Sequence, residues 1–286
     1  MPYSLNGVYP DRYQALSEDG ERVLCRAWRP GDGGTHSVLV VLPAVDRPSR
    51  ASLDRLTHEF GLKDELDEEW AVRPLELVRD GDRTVLVLED DGGEPLDRLL
   101  VAPLQVGHFL HLAITIAGTL GKVHRRGLIH KDIKPANILV NRTTGTLKLT
   151  GFGIASRLTR ERPVPAPPEF IAGTLAYMAP EQTGRMNRSV DSRCDLYALG
   201  ISLYQMLTGV LPFSASDPME WVHCHIARQP VPPSERLENV PAPLSAHSHG
   251  PDLKVGLAVK PCRGTQAASR LGIARTAPRD RAQRDL

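Results

Sequence analysis

Near the start of the chain, apolar residues fall at alternate positions. Tyr13–Leu16, Glu21–Arg29 and Thr35–Leu42 follow this pattern, separated by the turn-forming stretches Ser17-Glu18-Asp19-Gly20 and Pro30-Gly31-Asp32-Gly33-Gly34. Three consecutive strands are predicted, with Val23, Cys25 and Ala27 marking a covered face. The period then lengthens: after Pro48-Ser49, residues Leu53, Leu56 and Phe60 share one side of a helix expected to run from Ser49 to Glu65. Trp70–Val78 and Thr84–Leu88 read as two further strands around the Asp80-Gly81-Asp82 turn. Phe109, Leu112, Ile116, Leu120 and Val123 recur at helical steps and predict a helix burying one stripe. Leu196, Leu199, Leu203, Met206 and Leu207 predict another within Asp191–Gly209, and Asp217-Pro218 opens a third, Met219–Arg228. Between the first two lie short apolar strand segments at Ile129, Ile138-Leu139-Val140 and Thr146–Thr150, the last two joined by a turn at Asn141–Gly145. The fold class is therefore α+β. Beyond about Pro243 the periodicity weakens, and residues 244–286 lack aromatics and are rich in Arg, Ala, Gly and Ser, a composition favouring disorder over packing.

Composition narrows the function classes. A chain of 286 residues with 41% hydrophobic content can bury a proper core, and a formal charge of +1 supplies no field to gather nucleic acid or an anionic membrane. The longest apolar run, Phe109–Leu120, contains His111 and is short for a bilayer span. Cys25, Cys194, Cys224 and Cys262 are widely separated and read as reduced thiols, which points to a cytoplasmic location. His223-Cys224-His225 does not make a metal site, because adjacent residues on a helix point apart and no second cluster completes one.

The stretch Gly127-Leu-Ile-His-Lys-Asp-Ile-Lys-Pro-Ala-Asn-Ile-Leu-Val140 sets polar residues that folding does not require inside an apolar frame. Pro135 keeps the loop from continuing as helix, so Asp132 and Asn137 converge across a tight bend. A carboxylate, an ammonium (Lys134) and an amide in one volume suit phosphoryl transfer. The first accepts a hydroxyl proton, the second offsets charge on the moving phosphoryl, and the third holds a metal ion. The pattern resembles the catalytic loop of protein kinases, His-Arg-Asp-x-Lys-x-x-Asn, with Lys131 at the Arg position. Lys134 followed by Pro135 is similar to the serine/threonine branch, as is Gly173-Thr174-Leu-Ala-Tyr-Met-Ala-Pro-Glu181. Asp195-Leu-Tyr-Ala-Leu-Gly200 resembles the start of the central helix of the family's larger lobe. Longer phrases, including Ser216–Pro230, resemble the N-terminal kinase domain of bacterial multi-sensor ATPase and histidine-kinase signalling proteins.

The resemblance implies a bilobal protein kinase-like fold. A small antiparallel β lobe would span 10–91 and a larger, mainly helical lobe 92–243, with its end incomplete and an aberrant or disordered tail over 244–286 left by a frame change or cut near residue 244. It implies ATP and Mg2+ as cofactors. Asp132, Lys134, Asn137 and Thr174 would be catalytic, with Asn137 also a metal ligand. Leu88, Glu89, Asp90, Glu94 and Leu139 would meet the nucleotide, Leu88 as gatekeeper, the Glu89-Asp90 backbone at the adenine edge and Glu94 at the ribose. Asp195 would hold the catalytic-loop amides, and Phe152 would pack near His130.

Three departures bear on activity. The turn that should be a glycine-rich phosphate lid keeps one glycine and carries Glu18 and Asp19, which repel a triphosphate. Val41 stands where the ATP-anchoring lysine belongs, leaving Glu59, its expected partner, as either a functional group or a solvated helix acid. Gly151-Phe152-Gly153 replaces Asp-Phe-Gly, removing the metal carboxylate, and Thr150 offers only a neutral oxygen. Arg160–Phe170 holds four prolines, and no hydroxyl occurs between Thr159 and Thr174, which excludes phosphate switching there. The expected function is ATP-dependent phosphoryl transfer to protein Ser/Thr hydroxyls, with turnover lowered roughly ten-thousandfold if each of the two lost contacts costs about 3 kcal/mol. The alternative is a pseudokinase that docks a signalling partner; a remnant with no stable output is a third reading.

Overall fold

The structure, a computed structural model, describes residues 13–31, 34–80, 83–157, 173–184, 189–238 and 240–241. The proline-rich stretch at 160–170 and the tail at 244–286 lie outside the described residues. The small lobe is one antiparallel sheet. It comprises β1 (Tyr13–Glu18), β2 (Arg22–Gly31), β3 (Gly34–Pro43), β4 (Pro74–Asp80) and β5 (Arg83–Leu88), in the order β1-β2-β3-β5-β4. Alternation divides its side chains between two apolar clusters. Val23, Cys25, Ala27, Val38, Val40 and Val87 pack on one face, and Leu16, Leu24, Leu39, Val41, Leu86 and Leu88 on the other. In the register, Arg22 lies opposite Pro43, Leu24 opposite Val41 and Arg26 opposite Leu39. Arg22 and Arg26 therefore lie on the face that looks toward the larger lobe.

The helix expected over Ser49–Glu65 is α1 (Arg50–Gly61), with the Ser49 hydroxyl accepting the Ser52 amide at 3.1 Å. It stops at Gly61, a poor helix former, and Leu62 and Leu66 turn away into the core of the larger lobe. The strand expected over Trp70–Val78 is also corrected, because Pro74 opens β4. Trp70–Val72 instead pair with Leu149 of the larger lobe, through Leu149 N to Trp70 O at 2.8 Å and Val72 N to Leu149 O at 2.9 Å. Trp70 buries its ring edge-on against Phe152, with centroids 6.1 Å apart.

The larger lobe begins with β6 (Glu94–Pro95) and the short α2 (Leu96–Leu99), followed by α3 (Val106–Arg125). By length and composition α3 is long and apolar enough to cross a membrane, but half of that stretch is buried, and its Phe109, Ile116, Leu120 and Val123 are the centre of the lobe's core. Next come β7 (Leu128–Ile129), β8 (Ile138–Val140), β9 (Leu147–Leu149) and β10 (Ser156–Arg157), forming the sheets β6-β8-β9 and β10-β7. The chain continues with α4 (Arg193–Thr208), α5 (Pro218–Ala227) and α6 (Pro233–Arg236). An antiparallel β lobe on a mainly helical one is the bilobal α+β architecture.

Two buried polar groups fix what surrounds the loop between β7 and β8. Asp195, fully buried in the first turn of α4, accepts the amides of His130 at 2.9 Å and Lys131 at 2.7 Å and the His124 ring at 2.8 Å. Lys131 has a positive φ of 67°, uncommon for a residue other than glycine. Replacing Asp195 with Ala removes the acceptor of both amides while they stay buried, so a loss of about 3–5 kcal/mol is expected in denaturant unfolding. His225 on α5 is the second group. Its Nδ1 accepts from the Tyr197 hydroxyl at 2.8 Å, its Nε2 donates to the Leu175 carbonyl at 2.7 Å, and its ring stacks on Trp221. Burial holds its pKa down to about 4, with the Leu175 bond pulling the other way. The unfolded chain takes up this proton first as pH falls. The neutral ring's contribution is therefore complete above about pH 6.5 and is lost as pH falls toward 4, by on the order of 2–3 kcal/mol. His225→Gln should flatten this part of the stability–pH curve measured by thermal melting.

Candidate active site

The loop after β7 delivers its polar side chains because each end is tied. His130 is fully buried, its Nε2 donating to the Thr150 carbonyl at 3.0 Å, its Nδ1 accepting the Asp132 amide at 3.2 Å, and its ring lying 4.5 Å from that of Phe152. A single 3-10 turn, Pro135–Asn137, then carries the chain into β8. Asp132 and Asn137 meet across it, with Asn137 Nδ2 donating to Asp132 Oδ2 at 2.9 Å. The other Asp132 oxygen accepts the Thr174 amide at 3.1 Å. Lys134 Nζ lies 2.5 Å from Thr174 Oγ1 and 3.3 Å from Asp132 Oδ2. Asp132, Lys134, Asn137 and Thr174 thus form one cluster. Burial alone would raise the Asp132 pKa, but the charges of Lys134 and Arg22 and the Asn137 amide hold it down to about 2.

Other groups enter this cluster that strand-by-strand reading does not anticipate. Arg22 reaches from β2, donating to Asn137 Oδ1 at 2.5 Å, with Nη1 3.8 Å from Glu59 and Nε 3.5 Å from Asp19. Glu59 is 1% exposed and accepts the Gly151 amide at 3.0 Å, so the reading of it as a solvated acid is corrected. Asp19, on the turn between β1 and β2, accepts from Lys134 Nζ at 2.8 Å. A Cβ on Gly151 would lie 2.5 Å from Arg22 Nη2 and 3.0 Å from the Asn137 amide, and the backbone there has φ of 87°. The guanidinium therefore fills the space into which a side chain at 151 would project. The signal for Arg22 was present in β2: arginines at 22 and 26 alternate with Leu24 on a face otherwise apolar, where an unpaired charge is costly.

The residues assigned to the nucleotide are engaged by apolar neighbours or by arginines of the chain itself. Leu88 and Leu139 are buried in one cluster with Leu16, Leu24, Leu39 and Val41. The Glu89 carboxylate pairs with Arg73 at 2.6 Å. Arg26 bonds Asp90 at 2.6 Å, Glu94 at 3.0 Å and the Gly93 carbonyl at 2.7 Å, so β2 is tied directly to the segment joining the lobes. The space left between Leu24, Val41, Asn137 and Thr150 is about 10 Å3. In contrast, a cavity of about 390 Å3 opens on the other side of Arg22, lined by Asp19, Glu59, Asp132, Lys134 and Thr174 among others.

The comparisons agree with this geometry. Residues 38–250 match the family described as "Protein kinase domain". Over 165 residues the chain is 38% identical to the serine/threonine-protein kinase Pkn1 of Myxococcus xanthus, covering 57% of this chain and 23% of that protein. It is 39% identical over 123 residues to PknB of Mycobacterium tuberculosis and 40% identical over 123 residues to PknB of Mycobacterium leprae, in each case 43% of this chain and 19% of the relative. The alignments thus span no more than about a quarter of these relatives' lengths. With a β lobe set on a helical lobe and a family match over most of its length, the chain belongs to the protein kinase domain family and is a serine/threonine protein kinase-like domain.

Proposed function

We propose that this domain is of the serine/threonine kinase type but that its magnesium-ATP-dependent transfer is strongly impaired, and that it works as a pseudokinase, a regulatory or docking module in a cytoplasmic signalling protein. Protein kinases in general use ATP and Mg2+ and act on protein substrates. The reading rests on one observation above others: Arg22 takes the Asn137 oxygen and the space at Gly151 that a metal and its carboxylate would need. Mg2+ demands several oxygen ligands in near-octahedral array, and a guanidinium in their midst repels it. The packing of Leu16, Leu24, Leu39 and Leu139 supports the reading from the adenine side. The similarity of Ser216–Pro230 to multi-sensor signalling proteins favours a regulatory role. The observation favouring an enzyme is that a cation does stand beside Glu59.

Labelled-phosphate transfer separates the two. Incorporation into the chain or a Ser/Thr peptide is expected at about one ten-thousandth of an intact kinase's rate or less, with no change on Asp132→Asn. In thermal shift, adding magnesium to ATP should bring no further stabilisation. Incorporation well above that level that disappears with Asp132→Asn would overturn the pseudokinase reading.

A further inference from the structure

Arg22 answers two losses at once. Leu24 faces Val41 across the β2–β3 ladder, so Arg22, two residues earlier in β2, lies diagonally from Val41 on the same face. Its longer side chain brings a cation to Glu59, the group left without a lysine at position 41. The same guanidinium lies on the Asn137 oxygen and 2.5 Å from a Cβ at residue 151, so Arg22 in this pose and any side chain at 151 exclude one another. Valine at 41, glycine at 151 and arginine at 22 are thus one interdependent arrangement.

The cations of this site already share an anion. Asp19 Oδ2 lies 2.8 Å from Lys134 Nζ and 3.5 Å from Arg22 Nε, and the charges of both hold its pKa below the usual value against the opposing effect of burial. Lys134 is 4% exposed in its side chain, whereas Asp19 is 23% exposed and sits on a surface turn at the edge of the 390 Å3 cavity. The Thr150 hydroxyl, buried beside Arg22 and Asn137, has no hydrogen-bond partner among the described residues. Two cations fixed by buried partners hold one oxygen of a carboxylate whose other oxygen accepts the Glu21 and Arg22 amides of its own turn, at 3.2 and 3.0 Å, so the seat is an anion site whose occupant can leave the cations only by turning about that cap.

We propose that Arg22 is the resident cation of this site, standing in from β2 for both the strand-3 lysine and the metal ion. A phosphate chain is then gripped between Arg22 and Lys134 without a divalent cation, in the place Asp19 fills. This rests on the pseudokinase reading of the same site and adds its ligand chemistry, a phosphoanhydride chain. Such a chain brings more negative charge than one carboxylate and accepts several charge-assisted hydrogen bonds, so it can displace Asp19 from both partners.

The test is calorimetric titration of the full chain with tripolyphosphate and, separately, with ATP, each in EDTA and in magnesium. Tripolyphosphate binding undiminished in EDTA is expected, weakened roughly ten-fold or more by Arg22→Gln and strengthened roughly ten-fold by Asp19→Asn. Gly151→Ala should also weaken it, because the added methyl displaces the guanidinium. If Arg22→Gln does not fold, Asp19→Asn carries the test, since tighter binding cannot arise from misfolding. ATP binding tighter than tripolyphosphate identifies a nucleotide as the source of the phosphates, and equal binding identifies a free polyphosphate; either supports the site. No binding, binding that requires magnesium, or tripolyphosphate affinity unchanged in Asp19→Asn overturns it. Asp132-dependent phosphate transfer would instead overturn the pseudokinase reading and leave this site standing.

Discussion

A guanidinium withdrawn from most of its water needs acceptors around it, and the cleft between the lobes is arranged to supply them to Arg22, whose side chain is 22% exposed. Glu59 comes from α1, Asp19 from the β1–β2 turn and Asn137 from the catalytic loop, so three parts of the chain converge on one side chain. Its guanidinium has a raised pKa because these acids outweigh burial, which alone would lower it. A second arginine on the same strand face, Arg26, is satisfied in the same way by Asp90, Glu94 and the Gly93 carbonyl. The two lobes are thus joined by hydrogen bonds from two arginines four residues apart on one strand face, Arg22 to Asn137 and Arg26 to Asp90 and Glu94, with no nucleotide needed to bridge them.

This changes what the surviving catalytic-type residues mean. On sequence grounds, Asp132, Lys134, Asn137 and Thr174 look unnecessary for packing, which argues that chemistry retains them. In the folded chain each also holds its neighbours in place. Asp132 accepts from Thr174 and Asn137, Lys134 bonds Thr174 and Asp19, and Asn137 also donates to the Asp132 carbonyl at 2.7 Å. Lys134 and Asn137 are 3% and 1% exposed, so replacing either leaves buried partners unpaired whether or not phosphate is ever transferred. Their presence is compatible with an inert domain, and what sets this site apart is Arg22 beside Gly151.

Much of the scaffold was legible because it follows local rules. Alternation gave β2, β3 and β5 to within a residue or two, three- and four-residue spacing gave α3 and α4, and the family phrases located the catalytic loop, Asp195 and Phe152. The errors came where long-range packing overrides local pattern. Trp70–Val72 have strand-like residues but pair with Leu149, and α1 ends early because Leu62 and Leu66 are drawn into another core. Arg22, and the pairing of Asp19 with Lys134, were missed for a different reason. Motif reading asks what stands at one position of one strand; it does not ask whether a neighbouring strand reaches the same point in space.

That distinction explains how the site can lose its best-known groups without the fold collapsing. The strand-3 position is filled by Val41, which packs with Leu24 and Leu39, so the absent ammonium leaves no buried charge behind on β3. At Gly151 the absent carboxylate leaves room for Arg22, which restores the charge that Glu59 would otherwise lack. Neither replacement is neutral by itself: a lysine at 41 would compete with Arg22 for Glu59, and an aspartate at 151 would push the guanidinium out of its present position and offer it a competing carboxylate. Restoring the family pattern one residue at a time should therefore disturb this domain more than restoring both positions together with a shortened Arg22, because the interaction energies lie between the sites and not in any one of them.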